Sequence, residues 1–206
     1  MIRKLAALAL VLPLAALAQE AAPRLQEDPR AAKFKDVERG FFVGVESGYL
    51  HLLDTPPAAD PDAHPLAKES GGAASGVVVG VLVGIDLFKR ISIAVYGQGG
   101  IENASRDYGA FSIYAGGIDA KVALVGHRDR NDWERLYVYV HGRAGYAVTS
   151  PDGLFGNSDV VVQGGPGVEY FTQLRHFSVG LGADFVRATK AGVNGFSIYP
   201  TVRYTF

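Results

Sequence analysis

Gly76-Val77-Val78-Val79-Gly80-Val81-Leu82-Val83-Gly84-Ile85-Asp86-Leu87-Phe88 decides the fold. Val77, Val79, Val81, Val83, Ile85 and Leu87 stand two apart and are all bulky and apolar, while Gly76, Gly80, Gly84 and Asp86 lie between them. Successive side chains of a β-strand point to opposite faces, so this spacing makes a ribbon with one bulky apolar face and one small or polar face. A helix would scatter the same residues around its whole circumference.

Working outward, the period of two recurs in seven further segments. Phe41, Val43, Val45 and Tyr49 alternate with Gly44, Glu46 and Gly48; Ile91, Ile93 and Val95 with Ser92, Ala94, Tyr96 and Gln98. Tyr114, Ile118, Ala120, Val122 and Leu124 face away from Asp119 and Lys121. Val138, Val140, Ala144 and Tyr146 face away from Tyr139, His141 and Arg143. Val160, Val162, Val168 and Tyr170 oppose Gln163, Gly165 and Glu169, and Phe177, Val179, Leu181, Ala183 and Phe185 oppose Ser178, Gly180, Gly182 and Asp184. In the last segment Phe196, Ile198, Pro200, Val202, Tyr204 and Phe206 oppose Ser197, Tyr199, Thr201 and Arg203. Each segment can supply the roughly 9–11 residues that a tilted strand needs to cross a bilayer. The expected fold is all-β, an eight-stranded antiparallel up-and-down transmembrane barrel over residues 40–206.

Alternation alone fits a soluble barrel equally well, and the chemistry of the two faces separates the cases. A soluble barrel of the lipocalin kind hides its apolar face and shows many charges to water. Here the polar face holds few charges of both signs among residues of little bulk: Glu46, Asp86, Asp119, Glu169 and Asp184 against Lys121, Arg143 and Arg203, with Gln98 and His141 beside them. Such a set suits a narrow interior in which acids and bases pair, and these ten residues are the expected lumenal polar network. The opposite face is nearly free of charge, as lipid contact requires. Phe41, Tyr49, Phe88, Trp133, Tyr137, Tyr146, Tyr170, Phe177, Phe196, Tyr204 and Phe206 fall near strand ends, where rings sit at the headgroup level. Tyr204-Thr205-Phe206 ends in an aromatic residue with another two before it, the form of the assembly signal that barrel-insertion machinery reads. Pro166 and Pro200 lie within strands and are expected at bulges, because proline cannot donate to the ladder.

Composition agrees. The 206 residues include 26 Gly, 10 Tyr and 11 Phe, with only 20% charged. The absence of cysteine excludes disulfides, thiol nucleophiles and Cys-ligated metals. Lys and Arg number 20 against 21 Asp and Glu, so no basic excess points to nucleic acid.

Met1–Lys4 is a short basic start, Leu5–Ala18 an apolar run interrupted by Pro13, and Ala16-Leu17-Ala18 supplies small residues for cleavage. Residues 1–18 read as a secretory signal peptide. Residues 19–39 carry five acidic and five basic side chains with Pro23 and Pro29, and read as a polar periplasmic linker. The expected location is the outer membrane, with its lipid and the insertion machinery as partners.

The connections carry little recognisable chemistry. A lipid A acyltransferase or deacylase would need a His beside a Ser and an acid. Only His51, His64, Asp54 and Ser70 can meet, in the Pro-rich first connection, and no motif for either activity is present. The same connection offers His51, Asp54, Asp60, Asp62 and His64 to a metal, yet Asp in such a stretch is ordinarily a turn residue. Gly164-Gly165-Pro166-Gly167 lacks the strand–turn–helix context of a nucleotide loop. No catalytic, cofactor or metal set is expected. The charged stretch from Gly126 to Arg135 reads as a solvent-exposed connection.

The plan resembles the small OmpA and OmpX type of outer-membrane barrel. Phe34-Lys35-Asp36-Val37-Glu38-Arg39-Gly40-Phe41-Phe42-Val43, Gly165-Pro166-Gly167-Val168-Glu169-Tyr170-Phe171 and Leu174-Arg175-His176-Phe177-Ser178 are similar to CglE-type proteins of adventurous gliding motility. That resemblance implies a non-enzymatic outer-membrane component of a surface motility or adhesion machinery, with other envelope proteins as partners. The rivals are a lipid-modifying outer-membrane enzyme and a lipocalin-like periplasmic carrier.

Overall fold

A computed structural model describes residues 39–53, 73–104, 110–129, 133–150, 158–174 and 176–206. The signal peptide, the linker up to residue 38, and Asp54, Asp60, Asp62, His64 and Ser70 lie outside the described residues. Eight strands follow in order: β1 Phe41–Leu52, β2 Ala74–Phe88, β3 Ile91–Ala104, β4 Ala110–Arg128, β5 Glu134–Ser150, β6 Asp159–Phe171, β7 Phe177–Ala188 and β8 Asn194–Thr205. Each pairs antiparallel with the next, and β8 returns to β1 to close the barrel. Closure leaves no unpaired edge, which is what allows strands to stand in hydrocarbon.

The alternation read from the sequence sorts the two faces as expected. Val77 and Val81 are 59% and 52% exposed, and the outward face of every strand is bulky and apolar. So large an apolar surface wrapped around a closed barrel is a lipid-facing wall. Glu46, Asp119, His141, Arg143, Glu169, Asp184 and Arg203 are buried inside. The wall is sealed at the β8–β1 seam by the Phe206 N–H, which donates to the Phe41 carbonyl at 2.8 Å. Outside that seam the ring of Phe206 packs against Phe41 and Tyr204, and Tyr204 against Phe177, with centroids 4.9–5.7 Å apart.

Three local expectations need correction. Pro166 and Pro200 are not at bulges. The β6–β7 ladder passes from Gly164↔Phe185 to Gly167↔Gly182, and the β1–β8 ladder from Glu46↔Thr201 to Tyr49↔Ile198, with the register unchanged across each gap. On its other side each proline pairs normally, Pro166 with Val140 and Pro200 with Leu181. The missing donor therefore costs ladder bonds without adding a residue. Glycines face both gaps: a Cβ on Gly48 would lie 2.3 Å from the Ile198 carbonyl oxygen, and one on Gly165 1.9 Å from that of Ala183. Register shifts occur instead between Asp86 and Phe88, Ala123 and Val125, and His127 and Arg128, all toward the short-turn end. Tyr137 points inward and is only 5% exposed, so it belongs to the lumen and not to the aromatic belt. The stretch 126–135 is mostly hairpin, because β4 continues to Arg128 and β5 begins at Glu134.

The wall and the lumen respond differently to one added charge. Val81→Arg is expected to cost about 2–4 kcal/mol if the residue lies at the bilayer midplane. Gln98→Arg, inside, is expected to cost less because Glu46 lines the same space. Urea titration of both variants in lipid vesicles measures the order, and the reverse order would exchange the two faces.

Candidate functional site

Every second residue of each strand points into a space that eight strands make too narrow for more than side chains. Charges buried there lose most of their contact with bulk water, so pairing with one another offsets the cost. The arrangement centres on Arg143 of β5. Its Nη1 and Nη2 donate to Glu46 Oε1 and Oε2 of β1, each at 2.7 Å, and its Nε donates to Asp119 Oδ2 of β4 at 2.6 Å. The bidentate fork is the geometry in which a guanidinium binds a carboxylate best. The rings of Tyr96 and Tyr199 lie 5.2 Å from the guanidinium carbon.

Asp119 also holds His141, whose Nδ1 is 2.9 Å from Oδ2; on the far side of the ring Nε2 is 2.7 Å from Asp184 Oδ1 of β7. A carboxylate oxygen thus faces each ring nitrogen of His141. The Tyr199 hydroxyl of β8 donates to Asp184 Oδ2 at 2.9 Å and sits 2.8 Å from His141 Nε2. Toward the short turns a second group forms. Lys121 Nζ and the Ser178 hydroxyl donate to the two oxygens of Glu169, each at 2.6 Å. Arg203 binds Asp86, approaches Glu169 at 3.8 Å, and lies over the Phe42 ring.

Nine of the ten residues expected in the lumenal network are thus joined in ion pairs. Gln98 faces the lumen as expected but lines the space between Arg143 and the apolar layer, with Gln163 across from it. Sequence reading put Tyr96, Tyr139, Tyr199 and Ser178 on the polar face without giving them a part in the network. A signal was available for two of them: Tyr139 stands two residues from His141, and Ser178 is the register partner of Arg203. It also passed over Glu102, which is wholly buried at the far end of β3 with neither carboxylate oxygen hydrogen-bonded among the described residues.

The lumen is layered. Beyond Gln98, Leu50, Leu52, Phe111, Ile113, Val161 and Val186 form an apolar cluster toward the long connections. At the short-turn end Phe42, Tyr137 and Phe171 are buried, and Arg39 covers them from the linker side, donating to the Tyr137 hydroxyl at 3.0 Å. In the middle each described charge of the network has an oppositely charged partner, although Arg203 Nε makes no hydrogen bond. His51, considered above for catalysis or metal binding, lies on the outer wall and meets Ser75, while its other expected partners lie outside the described residues.

No protein-family model matches the chain, and no curated protein matches it in sequence. Among solved structures it is similar to Neisserial surface protein A, with a TM-score of 0.61 and 17% identity, over 81% of this chain and 97% of that one. It is more loosely similar to Ail, the attachment invasion locus protein of Yersinia pestis (TM-score 0.43, 13% identity, 82% and 100% covered). OprG from Pseudomonas aeruginosa also scores 0.43, at 11% identity, with 82% and 95% covered. The first likeness establishes the fold as that of the small eight-stranded outer-membrane barrels. The resemblance to CglE-type proteins rests on the sequence blocks alone.

Removing one partner of a buried pair leaves the other uncompensated, so Arg143→Met is expected to lower stability by about 3–5 kcal/mol. Adding Glu46→Gln to it should cost less than the two single changes summed, since the orphaned carboxylate is gone. A double-mutant cycle by urea titration in vesicles checks both; strict additivity would mean that the pair is not coupled.

Proposed function

We propose that this protein is a structural and interaction component of the outer membrane, serving a surface motility or adhesion assembly. The barrel is its anchor, and the long connections and the linker are its contact surfaces. The observation that carries this reading is the filled lumen. An apolar layer, an internally paired ionic layer and an aromatic floor under Arg39 follow one another along the axis, which blocks a passage among the described residues. What remains for function is outside the barrel. The resemblance of the three sequence blocks to CglE-type proteins is what suggests gliding, and the apolar wall argues against a soluble carrier.

Barrels of this class have short turns on the periplasmic side and longer loops outside. That rule puts residues 54–72 at the cell surface and Arg39 with the linker in the periplasm. Tyr204 and Phe206, on the outer wall beside the seam, fit the role of assembly signal for the insertion machinery.

Cells lacking the protein are expected to lose surface motility or adhesion, with recovery on expression of the intact chain and not of one with residues 54–72 shortened. Unchanged surface behaviour in the deletion strain would remove the motility and adhesion reading. Independently, the purified protein in planar bilayers is expected to give no large, steady conductance. A stable channel that passes sugars would show that the lumen is open.

A further inference from the structure

The outer wall carries a feature that the filled lumen does not. His51 of β1 and Ser75 of β2 are register partners on the outward face, and His51 Nδ1 is 2.6 Å from Ser75 Oγ. The next residue along the same row is Asn103 of β3, the register partner of Ser75 on its other side. Each of the three lies two residues beyond an exposed apolar side chain of its own strand: Tyr49, Val77 and Ile101, the last 62% exposed. The row therefore sits at the margin of the lipid-facing belt, with the exposed Leu53 beyond His51 just after β1, where hydrocarbon gives way to the linkage region of the membrane. The His51 ring is fixed from the sides by aromatic neighbours. Its centroid is 5.0 Å from that of Phe196, and the ring stacks with Tyr49 at 6.4 Å.

A hydroxyl within hydrogen-bond reach of a positioned imidazole is the core of an activated nucleophile, and here ring packing by Tyr49 and Phe196 orients the imidazole in place of an acid. Its placement on the wall selects the substrate, because the bonds at that depth are those joining acyl chains to their polar carriers. We propose that His51 and Ser75 form a hydrolytic dyad for carboxylic esters of membrane lipids. Ser75 Oγ attacks the ester carbonyl carbon while its proton passes to His51 Nδ1, free to accept when Nε2 carries the ring hydrogen. The adduct collapses with cleavage of the bond to the alcohol oxygen, and the alcohol leaves with the proton from His51. Water then attacks the acyl-Ser75 ester with the same base. It releases the carboxylic acid and restores the serine, so the sum is ester plus water giving acid plus alcohol. The Asn103 amide is the neighbouring donor for the oxyanion, the role a side-chain amide fills in other acyl-transfer sites. This activity lies on the wall, apart from the lumen and connections that carry the interaction reading, and it stands or falls separately.

The test uses the full chain in lipid vesicles, with a fluorophosphonate as the probe. The expected result is labelling that peptide mass spectrometry places on Ser75, absent in Ser75→Ala and slowed about 100-fold or more in His51→Gln. Asn103→Ala is expected to slow fatty-acid release by about 100-fold while leaving the heat-modifiable gel mobility unchanged. Two vesicle sets, one of diacyl phosphatidylcholine and one containing an ester-acylated glycolipid, identify which lipid carries the cleaved ester. Labelling of the natural chain elsewhere than Ser75, or labelling equally fast in His51→Gln, would overturn the proposal. So would fatty-acid release no greater than that of Ser75→Ala in both vesicle sets. The mapping on the natural chain decides even if a variant fails to fold.

Discussion

A guanidinium enclosed in a closed barrel has exchanged its water for whatever the surrounding strands provide, and for Arg143 they provide Glu46 and Asp119. Burial of that charge is costly, and the cost is offset only when every donor is aimed at an acceptor. Meeting this condition fixes three walls at once, since Glu46 is on β1, Asp119 on β4 and Arg143 on β5. Asp119 in turn orients His141, and His141 reaches Asp184 of β7 and Tyr199 of β8. One chain of contacts thus ties together five strands that backbone pairing joins only neighbour by neighbour. We read this as register specification from inside: a slip of one residue in any of these strands would turn its charge toward lipid.

The layering of the interior follows from the same economy of space. Within the network five carboxylates face Lys121, Arg143, Arg203 and His141, so acids and bases nearly match in number there. On one side of this layer the chain uses apolar side chains, and on the other aromatic rings lie beneath two guanidinium groups, Arg203 within and Arg39 at the mouth. Phe171 lies between the two. Arg39 is the last residue of the linker, so the point at which the polar segment meets the barrel is itself held by a specific contact. Chemistry and contact are consequently displaced to the outside of the molecule, where His51, Ser75 and the long connections lie.

Much of this was legible, and the failures have physical causes. The lumenal set could be listed because inward charge is rare enough to stand out against glycine and serine. Tyr137 was misplaced because an aromatic ring near a strand end suits a headgroup belt and a lumenal floor equally, and only parity against Arg135 and Tyr139 separates them. The prolines were given bulges on the rule that a missing donor disturbs the ladder. The chain instead tolerates a short gap, with Gly48 and Gly165 allowing the backbones to close in beside it. The His51–Ser75 pair is not legible along the chain, because the two residues stand 24 positions apart and meet only as register neighbours across the first connection.

The period of two by itself determined that eight strands would form, which face of each would meet lipid, and which charges would be inside. Those properties are local: they depend on alternation along one strand, and alternation is written in consecutive residues. Only the tertiary structure decided who answers whom. Glu46 and Arg143 are 97 positions apart, and Asp86 and Arg203 are 117 apart. They meet because the strands tilt and stagger when the barrel closes, which brings to one height residues that no reading along the chain can align.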